Sequence, residues 1–212
     1  LPTVRSRTIS IVMDIPEELM NRLKSDYGER VSLIYASAQQ SFSVLRFFLE
    51  REPESITHEA FGVPSDLEGL KQLIVESVEE DPMDLVRRRR AFAALCKSFV
   101  DSRSFFSAFR EVSSIFIGQG SFERARELVE VSRSLLRDIV ILSADTPNDS
   151  LTNIDLLEWL VNFKPGKHIL EDFVWCDSFL RQRTSSLSAT LVSFRALYAL
   201  SRSLVRRNNG GN

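Results

Sequence analysis

The stretch FSAFREVSSIFIGQGSFERARELVEVSRSLLRDI, residues 106–139, decides the reading of the fold. Phe109, Val112 and Phe116 fall at i, i+3 and i+7, which lines them along one face of a helix. Ser113 stands beside them as a small residue that lets a second helix approach. Gly118 and Gly120 end that helix, because glycine takes the left-handed conformation at no steric cost. Ser121 is placed to cap the next helix by accepting an orphan backbone N–H. Phe122, Ala125, Val129 and Ser132 then continue as the facing stripe.

This order of aromatic, aliphatic, small, glycine, aromatic, alanine and small residues resembles a tetratricopeptide repeat, most closely in Gly120-Ser121-Phe122-Glu123-Arg124-Ala125. The likeness covers residues 106–139 alone. Moving the frame one repeat upstream puts Pro82 inside a helix, and one repeat downstream does the same with Pro147. A solenoid of such units needs about three copies. The resemblance therefore implies a helical hairpin, without the peptide-binding groove of the family. An ordinary antiparallel helix pair inside a larger helical domain accounts for the same residues.

Outward from the hairpin, the punctuation is that of helices. Pro16 suits a first helical turn and Gly28 its end. Glu29 to Glu52 carries Ile34, Ala38, Phe42, Leu45 and Leu49 in one stripe, with Phe47 and Phe48 beside it, and Pro53 stops it. Residues 54–64 read as a connector. Ser65-Asp66-Leu67-Glu68 reads as a capping box opening a helix with Leu70, Leu73, Ile74 and Val78. Pro82 opens another, with Leu85, Phe92, Cys96 and Phe99 on one side. The second hairpin helix extends to Leu142, and the polar run 144–153 marks a loop or subdomain break. Helices are expected at 153–163, 167–182 and 186–207, with a joint at Lys164-Pro165-Gly166. Period-2 alternation is confined to Thr8–Met13. The expected fold is all-α, a multi-helix antiparallel bundle of about nine helices. It comprises a flexible arm at 1–14, one domain at 15–207 and a disordered tail at 208–212.

The chain has 212 residues, 43% of them hydrophobic, and fifteen Phe against three Tyr and two Trp. That composition describes a core filled by rings without polar handles. Cys96 and Cys176 sit in apolar helical patterns and read as buried free thiols, which fits cytoplasm or nucleus. No run of about 18 apolar residues is present, so no membrane span is expected. The start, Leu1-Pro2-Thr3-Val4-Arg5, lacks a signal core, and the missing Met points to a fragment or a processed chain.

Charge is segregated along the chain. Residues 50–84 hold eleven acids against Arg51 and Lys71, whereas no acid follows Asp177. Arg195, Arg202 and Arg206 fall at i, i+7 and i+11 and form a candidate partner-binding stripe, with Phe105, Phe106 and Phe109 as candidate apolar anchors. Such a stripe serves a solvated face, an acidic partner, this chain's own acidic segment, or nucleic-acid phosphate. Arg87, Arg88, Arg89 and Arg90 form a candidate basic run, with Asp84 placed to pair with Arg88 at i, i+4. Thr8 and Ser10 follow arginines at the spacing of basophilic kinase targets and are candidate phosphorylation sites.

His58 and His168 lack partners at metal spacing, and no nucleophile elbow or phosphate-binding glycine loop occurs. Asp172 and Asp177 flank Trp175 and Cys176 without completing a carboxylate site, and Trp159 and Trp175 read as core or interface anchors. No catalytic residue, cofactor or metal is expected. The leading expectation is a non-enzymatic helical interaction module, an adaptor or subunit of a larger assembly. Its partner is a protein helix or acidic peptide, and homo-oligomerisation is allowed. The alternatives are RNA binding through the C-terminal arginines and an enzyme with an inter-helix site. On the leading reading, Phe106→Asp or Arg202→Glu weakens association and leaves helicity intact.

Overall fold

The computed structural model describes residues 16–28, 31, 35, 42–50, 62–77, 81–144, 151–153, 156–182 and 187–207. These residues form an all-α fold of nine α-helices with one small sheet. In chain order they are α1 (Glu17–Tyr27), α2 (Phe42–Leu49), α3 (Leu67–Glu76), α4 (Pro82–Asp101), α5 (Phe105–Val112), α6 (Ser121–Ser143), α7 (Leu157–Leu160), β1 (Phe163–Pro165), α8 (Ile169–Arg181), α9 (Ala189–Ser203) and β2 (Leu204–Arg206). A 3-10 turn, Ser113–Phe116, follows α5. The segments 1–14 and 208–212, the Thr8–Met13 alternation, and most of residues 29–41 and 51–61 lie outside the described residues.

Helix α6 is the central element, packed against α4, α8, α9 and β1. Its 23 residues bury Leu128, Leu135, Leu136 and Ile139 completely. Each such side chain contributes about 1.5–3 kcal/mol of transfer free energy. The main core runs without interruption from Leu70 and Ile74 on α3 to Leu197 and Leu200 on α9. The helices on both sides of the polar run 144–153 share that core. A second, smaller cluster joins Val31, Tyr35, Leu45 and Phe48 to Val86 on α4. The apolar face of α2 is thus spent internally at Leu45 and Phe48.

The hairpin stretch differs from its sequence reading in detail. The first helix stops at Val112, and residues 113–116 tighten into the 3-10 turn. Ser113 explains the change: its Oγ donates to the Arg110 carbonyl at 2.9 Å and competes with the helical ladder. The tightened turn sends Ile115 and Phe116 into the core. It is this turn, rather than α5, that meets α6, while α5 packs on α4 and α9. Gly118 and Gly120 hold φ of 82° and 68°, as the glycine spacing predicts. Ser121 is the first helical residue and not the cap. The cap position is Gly120, with no side-chain bond. Arg124 ties the joint instead, its Nε donating to the Ile115 carbonyl at 2.7 Å and its guanidinium to the Gln119 carbonyl at 2.8 Å. At α3 the cap moves the other way, one residue later than read: Asp66 accepts from the Gly69 N–H at 2.8 Å.

Two short strands form at the ends of expected helices: β1 takes the last residue of the 153–163 reading and Lys164-Pro165 of the joint, and β2 replaces the last turn of the 186–207 reading. β1 and β2 pair antiparallel, with Phe163 opposite Arg206, Lys164 opposite Val205 and Pro165 opposite Leu204. Three residues are too few to display a period of two, and the pairing joins segments far apart in the chain. Two flanking bonds lock it, Gly166 N–H to the Ser203 carbonyl and Arg207 N–H to the Asn162 carbonyl, each 2.7 Å. A Cβ at Gly166 would lie 2.8 Å from the Arg202 carbonyl oxygen and 3.1 Å from that of Ser203. Gly166→Ala is therefore expected to destabilise the fold by about 1–3 kcal/mol, the range for overpacking against rigid backbone. A lowered urea midpoint with an unchanged m-value checks this; an unchanged midpoint contradicts it.

Candidate interaction surface

At the C-terminal end of the bundle the site is organised by one buried carboxylate. Asp172 lies on the same face of α8 as Ile169, Cys176 and Phe179, at the spacing of the buried stripe, and has no exposed surface. Its Oδ1 accepts from Arg195 at 2.8 Å; its Oδ2 accepts from Arg202 Nε and from the Ser203 hydroxyl, each at 2.7 Å. A second Arg202 nitrogen donates to Oδ1. Burial alone would push this carboxyl up. The bonds from Arg202, Ser203 and Arg195, with the charge of Arg195, outweigh burial and hold it below the usual carboxylate range.

This network places two of the three stripe arginines. Arg195 and Arg202 bind Asp172, and their planes also cover aromatic rings: Arg195 lies 4.8 Å from the Trp175 ring centre and Arg202 lies 5.5 Å from that of Tyr198. Arg206 belongs to β2 rather than to the helix and binds Asp101 at 2.6 Å, where Asp101 also accepts from Trp159 Nε1. The carboxylates that meet the stripe are therefore this chain's own, but they do not come from the acid-rich residues 50–84, apart from which Asp101 and Asp172 stand.

The three phenylalanines are brought together with rings from α9. Phe105 sits edge-on to Phe99, Phe194 and Tyr198 at 4.8–5.6 Å. Phe109 meets Phe194 edge-on at 5.1 Å. Phe106 lies 6.2 Å from Phe194, whose ring is parallel to Tyr198 within 7°. Phe105 and Phe109 are half-buried, but Phe106 is 75% exposed, Tyr198 44% and Leu191, one turn before Phe194, 69%. The result is a solvent-facing aromatic face across α5 and α9, bordered by the guanidinium of Arg202.

The basic run is built into the bundle. Arg88 and Arg89 are buried. Arg88 forms a two-pronged pair with Glu127 of α6, at 2.7 and 2.6 Å, and reaches the Ser77 hydroxyl at 3.3 Å; Arg89 donates to Ser134 at 3.4 Å. The strong partner of Arg88 is thus Glu127 on another helix, not Asp84 on its own. Thr8, Ser10 and His58 lie outside the described residues. His168 stands at the cap of α8 with its Nδ1 3.1 Å from Glu171. A separate cleft of about 230 Å³ between α3, α4 and α5 is lined by Ser98, Ser102, Ser104, Ser107, Arg103 and Glu111. Among the described residues no group of three His, Cys, Asp or Glu side chains is placed to share a metal ion, and no helix is long and apolar enough to cross a membrane.

One further buried polar anchor was not singled out by the sequence reading. Asp138 accepts from Thr152 N–H at 3.1 Å and from the backbone and side-chain amides of Asn153, each at 2.8 Å. It pins the end of the polar run to α6. Burial pushes its carboxyl up against those bonds. Both cysteines are free and buried. Burial pushes each thiol up to about 12, with the Asp172 charge adding to the rise at Cys176.

No family model, curated protein or solved structure matches this chain.

Because the folded pKa of Asp172 is depressed, its carboxylate stabilises the fold above the unfolded value of about 3.9. That contribution is lost as pH falls through the lower, folded value. Asp172→Asn is expected to cost about 3 kcal/mol at neutral pH, the low end for a buried pair because both guanidiniums are partly exposed. Chemical denaturation of the two proteins at pH 7 and pH 3 reads it; an equal cost at both pH values contradicts it. Arg202→Glu sets a second carboxylate against Asp172 and is expected to lower the melting temperature as well as to act on association. The thiols give an independent check. Native protein at pH 8 is expected to leave both unlabelled by a disulfide reagent over minutes, with both labelled once urea unfolds the chain.

Proposed function

We propose that the chain is a helical protein–protein interaction module, an adaptor or a subunit of a larger assembly, which docks partners through the α5–α9 aromatic face. The observation that carries the reading is Phe106, three-quarters exposed and held in a ladder of rings with Phe194 and Tyr198. A large apolar ring at that exposure gains about 2 kcal/mol or more when a partner covers it. Phe105 meets the Phe106 ring edge-on, Phe109 meets Phe194 in the same way, and Arg202, tied to Asp172, closes one edge. A partner then meets a preformed surface and loses less entropy in ordering it.

The internal pairing of the arginines favours a protein partner over phosphate. Arg195 and Arg202 share a buried carboxylate, so a phosphate would have to replace bonds already made in a low-dielectric setting. Arg88 is committed to Glu127 in the same way. The reading places the protein in a reducing compartment, cytoplasm or nucleus, in keeping with two buried free thiols.

Phe106→Asp tests the proposal, since its exposed side chain leaves the core untouched. Far-UV circular dichroism and the urea midpoint are expected to match wild type. Quantitative affinity capture with wild-type and variant baits is expected to show the specific partner reduced by about tenfold or more. Equal capture by the two baits overturns the assignment of this face.

A further inference from the structure

We infer that the free edge of β2 receives an extended segment of a partner protein, which joins the β1–β2 pair as a third strand. The inference does not rest on the α5–α9 face. The phase of the ladder shows which backbone groups are left over. Across the two strands the Gly166 N–H bonds the Ser203 carbonyl and the Arg207 N–H bonds that of Asn162. Bonded and non-bonded pairs alternate in an antiparallel ladder, so Lys164 and Val205 form the bonded pair between them. Leu204 and Arg206 therefore turn their N–H and C=O groups away from β1. The Leu204 N–H is bonded to the Leu200 carbonyl of α9. That leaves the Leu204 carbonyl and both the N–H and the carbonyl of Arg206, which no hydrogen bond reaches among the described residues. Val205, between them, is 39% exposed. Among the described elements, β2 packs chiefly on β1 and on the end of α9 from which it continues.

The two edges of this sheet differ. On β1, Pro165 has no N–H to offer, the Phe163 carbonyl accepts from Arg207 Nε at 2.9 Å, and α6 packs against the strand. On β2 the side chain that could guard the edge, Arg206, is turned back onto Asp101 at 2.6 Å and over the Phe163 ring. The groups left over are one donor with an acceptor on either side of it, on alternate residues. An extended backbone matches them: one of its residues exchanges two bonds with Arg206, and the residue two positions on donates to the Leu204 carbonyl. A helix has no main-chain groups free along its length and cannot do this. A second copy of this chain does not fit either. Two β2 strands paired about Arg206 oppose like charges. Paired about Val205, they call on the Leu204 N–H, which is already bonded. The partner is therefore a different chain in extended form, with a β-branched or aromatic residue opposite Val205 and main-chain groups free at every second position.

Amide hydrogen exchange on the full chain reads the edge first. In the free protein the Arg206 N–H is expected to be at least about tenfold less protected than that of Val205. Equal protection of the two means that this chain covers its own edge, in cis or with a second copy, and overturns the inference. A displayed library of random peptides of about eight residues is then selected on the full chain. Counter-selection uses Arg206→Pro, which removes the outward N–H, while Arg206→Ala loses the same side chain and keeps that N–H. A synthetic winner is expected to protect the Arg206 amide from exchange. It is expected to bind Arg206→Pro at least about tenfold more weakly than Arg206→Ala. Methylation of the peptide's own amides at alternate residues is expected to abolish binding in one frame and to spare it in the other, a readout that needs no protein variant. No enrichment over the counter-selected pool, equal binding to the two variants, or equal tolerance of methylation in both frames overturns the inference.

Discussion

A single carboxylate, Asp172, with no exposed surface, accepts hydrogen bonds from two guanidiniums and a hydroxyl, and the C-terminal third of the molecule is arranged around it. The ion would be costly to bury alone, and its partners make that burial tolerable. Because Arg195 and Arg202 lie two turns apart on α9, satisfying Asp172 sets both the rotation and the axial position of α9 against α8. Ser203 extends the same constraint to the end of the helix, where the chain turns into β2. Gly166 then meets the Ser203 carbonyl, and the pairing of β1 with β2 follows from that contact.

The aromatic face is a consequence of this rotation. With Arg195 and Arg202 turned toward α8, Phe194 is left to face α5, and its ring meets Phe105 and Phe109 edge-on. Tyr198 stacks beside it and Arg202 covers its ring. The same arginine thus serves the buried ion pair and the rim of the exposed face. Electrostatic anchoring inside and apolar display outside are two sides of one helix.

The same device recurs elsewhere in the bundle. α4 is held to α6 by the two-pronged Arg88–Glu127 pair, and the end of the polar run is held to α6 by Asp138. In each case a charged side chain sits within an otherwise apolar stripe and meets its complement from a segment remote in sequence or across a long turn. Burial pushes both carboxyls up, but it prevails only at Asp138, which receives mainly neutral amides, and is outweighed at Asp172, which receives two guanidiniums. Arginine suits this use: a planar fork matches a carboxylate at two points and loses less hydration on burial than an ammonium does.

Helical class, the glycine joint at residues 118–120, the burial of both cysteines and the apolar stripes of α4 and α6 were legible in the sequence, because each depends on local spacing or on the backbone freedom of a glycine. The grouping of Phe105, Phe106 and Phe109 on one short helix was legible for the same reason. An acid at the core-facing spacing of α8, three residues after Ile169 and four before Cys176, was the one written sign of the Asp172 hub. Which arginines would answer it was not written there, since pairing across 23 and 30 residues depends on how two helices are rotated against each other. The strands and the partner of Arg88 were likewise decided by tertiary structure: each is a contact between segments whose separation in the chain carries no periodic signal. Local periodicity determined which faces of the helices are apolar; packing and buried charge decided which of those faces remained open to solvent.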